Sequence, residues 1–127
     1  MRTIVFGGGC FWGVQAYFKQ IEGVVFTEVG YANGKSVDPS YREVCDGSGH
    51  TEAVMVTYDT EVITTKRLID LFFDIIDPTL LNQQGNDIGI QYRTGIYYEH
   101  GNQMAIAERE LEKLQEKYKE EIHVELQ

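Results

Sequence analysis

Cysteine is scarce in this sequence. Only Cys10 and Cys45 occur among the 127 residues. Two cysteines are too few for a disulfide framework, and their separation is not the C-x-x-C pattern of zinc sites or thioredoxin-type redox centres. The sequence therefore predicts neither a disulfide-stapled fold nor a metal centre.

Long apolar segments and excess positive charge are also missing. No stretch has the length needed to span a bilayer, and the N-terminus lacks a basic region followed by an apolar run. Twenty acidic residues against 11 basic ones give a formal net charge of −9, which argues against nucleic acid and anionic membranes as partners. We expect a cytoplasmic protein in which residues 1–127 form one domain with its own hydrophobic core.

Apolar spacing predicts strands and helices that alternate along the chain. Strands are predicted over residues 3–6, 24–31, 52–59, 94–98 and 122–126. Helices are predicted over residues 13–21, 66–76 and 102–121. We expect Thr64 or Thr65 to cap the second helix and Asn102 to cap the third.

Cys10 lies where the first predicted strand leads into the first predicted helix. The unpaired N–H groups and the dipole at a helix N-terminus favour an anion, and hence a thiolate. The preceding glycines allow close approach, and Phe11 and Trp12 supply an apolar wall. These features predict a reactive thiol. Two alternatives are a small buried structural cysteine and a glycine-rich phosphate cradle, although the spacing matches no known phosphate-binding motif.

Glu52 begins a predicted strand whose other residues on the same face, Val54 and Val56 among them, are apolar. Partial removal from water would raise the pKa of this carboxyl group and keep it protonated near neutral pH. Glu52 is therefore a candidate acid, although a carboxyl group at a strand end can equally point to solvent.

Two loops carry further polar candidates. Residues 35–50 form a long aperiodic loop with Tyr41, Cys45 and His50. Residues 82–93, which include Asp87 and Tyr92, are dense in Asn, Gln and Asp and predict a polar active-site loop. The alternative is a surface loop whose side chains cap backbone groups.

Five motifs together resemble the A-type peptide methionine sulfoxide reductases. The resemblance extends from the first strand to about residue 98, with the motifs in order and at compatible spacing. The motifs are Gly8-Gly9-Cys10-Phe11-Trp12-Gly13, Gly30-Tyr31, Pro39-Ser40-Tyr41-Arg42-Glu43-Val44-Cys45, Gly49-His50-Thr51-Glu52 and Gln84-Gly85-Asn86-Asp87-Ile88-Gly89-Ile90-Gln91-Tyr92-Arg93.

The resemblance implies an α+β fold, a two-layer sandwich with a ferredoxin-like core and a mixed sheet. It implies reduction of the S epimer of methionine sulfoxide, free or in proteins, without a metal or organic cofactor, and hence repair of oxidised proteins. Each matching residue then takes a role in that reaction. Cys10 attacks the sulfoxide sulfur, Glu52 protonates the oxygen with hydrogen bonds from Tyr41 and Tyr92, Asp87 orients a water molecule, and Phe11 and Trp12 hold the methyl group.

The chain has no cysteine after Cys45, whereas many family members carry resolving cysteines in a C-terminal tail. We therefore expect a single-cysteine enzyme whose Cys10 sulfenic acid is reduced by an external thiol, either thioredoxin or glutathione with a glutaredoxin. Cys45 is then a loop-packing residue, with resolution of the sulfenic acid as the alternative. Two other functions stay open: a peroxide sensor that needs only the activated thiol, and an acyl-transfer enzyme that uses His50 as its base.

Overall fold

The computed structural model describes residues 1–32 and 51–127. Within these ranges the chain forms seven strands, three α-helices and one short 3₁₀ helix. The strands are β1 (Arg2–Gly8), β2 (Val24–Ala32), β3 (Thr51–Tyr58), β4 (Gln83–Gln84), β5 (Asp87–Ile88), β6 (Thr94–Tyr98) and β7 (Glu125–Leu126). The helices are α1 (Phe11–Lys19), α2 (Thr65–Phe73), the 3₁₀ helix (Ile90–Tyr92) and α3 (Gly101–Glu116). None of the helices in the described part of the chain could span a membrane.

Five strands form one mixed sheet in the order β2-β3-β1-β6-β7. β1 pairs antiparallel with both β3 and β6, β2 pairs antiparallel with β3, and β7 runs parallel to β6. The succession β1-α1-β2-β3-α2-β6 with this strand order is the ferredoxin-like arrangement. The expected α+β fold with a mixed sheet is therefore confirmed. β4 and β5 form a separate small hairpin.

The hydrophobic core lies between the sheet and the helices. Alternate residues of the central strands, such as Ile4 and Phe6 on β1, are fully buried because strand side chains alternate between the two faces. Phe6 stacks on Phe18 of α1 and on Phe72 of α2, with ring centroids 5.0 and 4.5 Å apart. One aromatic side chain of the central strand thus joins both helices to the sheet.

The first two helices differ slightly from their predicted bounds. α1 begins at Phe11, two residues earlier than predicted, because the Cys10 carbonyl already accepts the Val14 N–H (3.3 Å). Thr64 caps α2, as predicted, by accepting the Arg67 N–H at 3.1 Å. α2 ends at Phe73 rather than residue 76 because the N–H groups that follow bond three residues back, which tightens the last turn.

The third helix is shorter than predicted and starts earlier. Its N-cap is His100, so the predicted cap at Asn102 is wrong. Its last turn stops at Glu116 instead of residue 121 because Gln115 accepts the Ile122 N–H (3.0 Å) and turns the chain. The predicted strand over 122–126 is correspondingly reduced to the two residues of β7.

Candidate active site

Cys10 occupies the turn between β1 and α1. Its backbone is extended (φ −62°, ψ 119°), and it is the N-cap residue of α1, with no hydrogen bond from its side chain to the helix. The side chain is a free, partly exposed thiol. The sulfur therefore sits at the N-terminus of a helix, as predicted.

Gly9 is the residue that permits this turn. Its φ is +88°, in the left-handed region, and a Cβ atom at this position would lie 2.7 Å from Gln84 Cβ. Glycine is required here for conformation and for space. The group that packs against Gly9 is the side-chain stem of Gln84.

A pocket of about 380 Å³ opens beside Cys10. Phe11 is buried in its wall, whereas Trp12 is 62% exposed, with the two rings edge to face at 4.9 Å. The pocket has an apolar wall next to the sulfur and polar groups that converge on it. Its lining residues are Cys10, Phe11, Trp12, Tyr31, Glu52 and Tyr92.

Glu52 is the buried acid of this pocket. It is 2% exposed, so the alternative of a solvent-facing carboxyl group is wrong. The Phe11 N–H donates a hydrogen bond to Oε1 (3.3 Å), and the Tyr92 hydroxyl group interacts with the same carboxyl group. Removal from water disfavours the anionic form of this carboxyl group more than its neutral form.

The surroundings of Glu52 favour its neutral form. Burial raises the pKa of Glu52 most, the Phe11 N–H lowers it, the negative charge of Asp87 raises it, and the Tyr92 hydroxyl group lowers it. The pKa is raised above its ordinary value of 4.5 once these effects are combined. The surroundings thus shift Glu52 toward its protonated form, which is the form that can donate a proton.

Residues 82–93 combine both alternatives considered for them. The hairpin places Asp87 close enough to Glu52 to act on it electrostatically, and the 3₁₀ helix delivers Tyr92 to the pocket. Gln84, in contrast, turns its side chain to backbone groups of Asp77. Part of the segment builds the site, and part of it caps the backbone.

Five of the seven predicted site residues line one pocket. Asp87 does not line this pocket, but its charge acts on Glu52. Tyr41 lies outside the described residues, as do Cys45 and His50. Within the ranges that the structure describes, no group of His, Cys, Asp and Glu side chains is arranged to hold a metal ion.

Tyr31 is a pocket residue to which the sequence analysis gave no role. It lies opposite Glu52 in the β2–β3 pairing, and its ring is 5.6 Å from that of Phe11. The signal was available, because pairing the end of the second predicted strand with the start of the third places these two residues side by side.

The sequence analysis also missed a hydrogen-bonding network that includes Thr51 and Arg93, the sequence neighbours of Glu52 and Tyr92. The Tyr97 hydroxyl group donates to Glu125 Oε2 (3.1 Å) and lies 3.4 Å from Thr51 Oγ1. Arg93 forms an ion pair with the same Glu125 carboxylate at 2.5 Å. Burial raises the pKa of Tyr97 to about 12, so its hydroxyl group remains a donor at any physiological pH. The network ties the neighbours of Glu52 and Tyr92 to the last strand.

Fold and site together define a class of protein: a ferredoxin-like α+β domain with a free thiol and a buried acid on one aromatic-lined pocket. The chain belongs to the peptide methionine sulfoxide reductase family, whose model, described as "Peptide methionine sulfoxide reductase", matches residues 2–127. The resemblance expressed by the five sequence motifs is thereby confirmed.

Relatives and solved structures agree with this membership. The chain is 50% identical over 119 residues to the peptide methionine sulfoxide reductase MsrA of Clostridium acetobutylicum, covering 93% of this chain and 74% of the relative. Methionine sulfoxide reductase A of Corynebacterium diphtheriae superposes with a TM-score of 0.87 at 40% identity, over 98% of this chain and 63% of that one. Mxr1 from Saccharomyces cerevisiae in complex with Trx2 gives a TM-score of 0.70 at 26% identity, over 97% and 72% of the two chains.

The chain matches only part of these longer proteins. It spans 63% and 60% of the length of two further clostridial relatives. Both of these are named as peptide methionine sulfoxide reductase MsrA.

Proposed function

We propose that this protein reduces methionine sulfoxide to methionine, with Cys10 as the nucleophile and Glu52 as the acid. The observation that carries the proposal is that a thiol at a helix N-terminus and a buried carboxyl group with a raised pKa open onto one pocket. Membership of the peptide methionine sulfoxide reductase family supports the same activity.

In the proposed step, the Cys10 thiolate attacks the sulfoxide sulfur while Glu52 transfers its proton to the sulfoxide oxygen. The oxygen is a poor leaving group until it is protonated, which is why the acid has to be neutral before reaction. The attack forms a bond between the two sulfurs, and the protonated oxygen leaves the substrate sulfur as hydroxide. Hydroxide then attacks the Cys10 sulfur, the bond between the two sulfurs breaks, methionine leaves with its electron pair, and Cys10 becomes a sulfenic acid. The substrate sulfur gains the two electrons that the Cys10 sulfur loses, so the step needs no metal or organic cofactor.

The remaining pocket residues bind and orient the substrate in this proposal. Phe11 and Trp12 hold the methyl group of the sulfoxide against the apolar wall. Tyr92 donates a hydrogen bond to the oxygen, and Tyr41 is proposed as a second donor from the family motif that contains it. The negative charge of Asp87 adds to the effect of burial in raising the pKa of Glu52, and Asp87 orients a water molecule. With an apolar wall on one side and hydrogen-bond donors on the other, the pocket distinguishes between the two epimers of the sulfoxide. The resemblance implies that the S epimer is the substrate.

An external thiol restores Cys10 after each turnover in this proposal. A first thiol condenses with the sulfenic acid to a mixed disulfide and releases water, and a second thiol attacks that disulfide and frees Cys10. The complex of the similar yeast protein Mxr1 with Trx2 supports thioredoxin as this reductant. Glutathione with a glutaredoxin is the alternative. We propose that residues 1–127 act as one catalytic domain in the cytoplasm, where such reductants keep thiols reduced, and repair oxidised proteins there.

A single-turnover experiment tests the proposal. The reduced protein is freed of reductant and mixed with excess methionine S-sulfoxide. The methionine formed per protein is quantified, and the masses of the Cys10 and Cys45 peptides are measured by mass spectrometry. We expect one methionine per protein, Cys10 trapped by dimedone as a sulfenic acid, and Cys45 unmodified. Cys10→Ser and the R epimer should both yield none.

A matched pair of variants separates acid catalysis from burial of a glutamate as such. Glu52→Gln should lose turnover, whereas Glu110→Gln, which alters a glutamate that is 5% exposed on α3, should keep it. Peroxide oxidation of Cys10 without any methionine formation would favour the sensor instead, since a sensor needs no acid. A disulfide between Cys10 and Cys45 would refute recycling by an external thiol alone.

A further inference from the structure

We infer that Gln84 is a positioning residue, one that holds the turn presenting Cys10 while touching neither the substrate nor the thiol. Gln84 forms β4, follows α2 in the chain and does not line the pocket. Its side chain contacts the backbone immediately before Cys10.

The head group of Gln84 is fixed by three hydrogen bonds. Its Oε1 accepts the Asp77 N–H at 2.9 Å, and its Nε2 donates to the Asp77 carbonyl at 2.8 Å and to Thr94 Oγ1 at 3.0 Å. Because the oxygen and the nitrogen of this amide both bind the Asp77 backbone, and the nitrogen also binds Thr94, the amide has a single orientation. The stem of the side chain is therefore fixed as well.

The stem of Gln84 lies directly on Gly9. A Cβ atom built on Gly9 would be 2.7 Å from Gln84 Cβ and 3.3 Å from Cγ, so the two residues are in contact with no intervening side chain. Thr94, which Gln84 binds, pairs with Gly8 across the β1–β6 ladder. Gln84 thus contacts the end of β1 directly at Gly9 and, through Thr94, beside Gly8.

Gly9 is where the support is needed. Glycine in the left-handed region is the least constrained residue in a chain, and the next residue is the nucleophile at the N-cap of α1. If the stem of Gln84 moves, the Gly9 backbone is free to rotate, and Cys10 leaves its position at the N-cap of α1 beside the pocket. Misplacing a reacting group by about 1 Å can cost about a hundredfold in rate.

The test compares Gln84→Met with Gln115→Met. Methionine keeps the length of the side chain and removes its hydrogen bonds. Gln115 is the matched control because it is also half-buried and lies in the last turn of α3, away from the pocket. Both of its amide atoms also bind backbone groups, the Glu120 carbonyl at 2.9 Å and the Ile122 N–H at 3.0 Å. Two readouts are taken on each: the single-turnover rate against sulfoxide concentration, and the rate of alkylation of Cys10 by iodoacetamide, followed on its peptide.

We expect Gln84→Met to lower the saturated turnover rate by about tenfold or more, with a half-saturating sulfoxide concentration within about twofold of the parent, because the binding wall is untouched. Alkylation of Cys10 should slow in parallel. Gln115→Met should leave both rates within about twofold even if its unfolding free energy falls by a similar amount. Gln84→Glu keeps the acceptor for the Asp77 N–H but places a carboxylate oxygen against the Asp77 carbonyl, so its rate should fall at least as far as that of Gln84→Met.

Unchanged rates in Gln84→Met, or equal losses in the two methionine variants, would overturn the inference. If Gln84→Met does not fold, Gln84→Glu decides in its place: parental rates overturn the inference and slower ones support it. The turnover readout rests on the proposed function, whereas the alkylation readout does not. A parent protein that forms no methionine would refute the proposed function and leave alkylation to test Gln84.

Discussion

Replacing Glu52 by glutamine should separate the activity of this protein from its stability. The substitution keeps the shape of the side chain and the acceptor for the Phe11 N–H, and it removes the proton that the sulfoxide oxygen needs. A positioned acid contributes about 100- to 10 000-fold to such a step, or about 3 to 5 kcal/mol of barrier. We expect a loss of single-turnover rate within that range.

The stability of the same variant relative to the parent should rise with pH, although its activity is lost. Burial raises the pKa of Glu52 above its ordinary value of 4.5, so the folded protein binds this proton more tightly than the unfolded chain does. The stabilising contribution of Glu52 is then fully present below pH 4.5 and is lost as pH rises through the raised pKa. A glutamine side chain does not titrate, so the variant carries no such dependence at this position. The unfolding free energies of parent and variant should lie within about 1 kcal/mol of each other in acid and shift in favour of Glu52→Gln toward pH 8.

Two measurements on one set of proteins check both expectations. Quenched single turnovers from pH 5 to 9 give the rates, and urea unfolding at pH 5 and pH 8 gives the free energies. In the parent, turnover should fall on the alkaline side as Glu52 ionises. Glu110→Gln serves as the control and should stay within about twofold of the parental rate at each pH. A Glu52→Gln protein that turns over within about threefold of the parent would refute general acid catalysis by this residue.

Three further substitutions probe the wall, the turn and the fold. Trp12→Ala removes a ring that is 62% exposed at the pocket, so it should raise the half-saturating sulfoxide concentration by about tenfold, equivalent to about 1.4 kcal/mol, while the urea midpoint stays unchanged. Gly9→Ala combines a left-handed φ with a contact at 2.7 Å, and we expect it to lower the unfolding free energy by about 1 to 3 kcal/mol and to slow turnover. Thr64→Ala removes the N-cap of α2 and should cost about 1 kcal/mol in thermal unfolding with turnover unchanged. A parental midpoint in Gly9→Ala or Thr64→Ala, or a parental half-saturating concentration in Trp12→Ala, would contradict the corresponding assignment.

The elements of the fold were predictable because burial imposes a period on the sequence. Residues 54, 56 and 58 of β3 are all buried, as their alternation predicts. The ends of the helices were less predictable because distant groups fix them. α3 stops where the Gln115 side chain binds Ile122, and the sequence does not show which glutamine makes that contact. A helical pattern gives the apolar face, whereas tertiary hydrogen bonds decide the last turn.

The individual site residues were likewise predictable from local signals, whereas their proximity depends on the strand pairing. Cys10 and Glu52 were predicted from local signals, a helix start and an interrupted apolar row. Their proximity is a consequence of register: Phe6 pairs with Val54, so the end of β1 lies beside the start of β3.

The same register brings in the other pocket residues. Tyr31 pairs with Glu52 at the end of β2, and Gly8 pairs with Thr94 just after the 3₁₀ helix that carries Tyr92. Four strands therefore deliver the thiol, the acid and the aromatic groups to one end of the sheet. The role of Gln84 could not be predicted in this way. Its contact with Gly9 depends on how a hairpin packs against a turn, and hydrophobic periodicity in the sequence does not indicate such packing. Residues that carry the proposed chemistry leave a local signal, and a residue that positions them leaves one only in the folded chain.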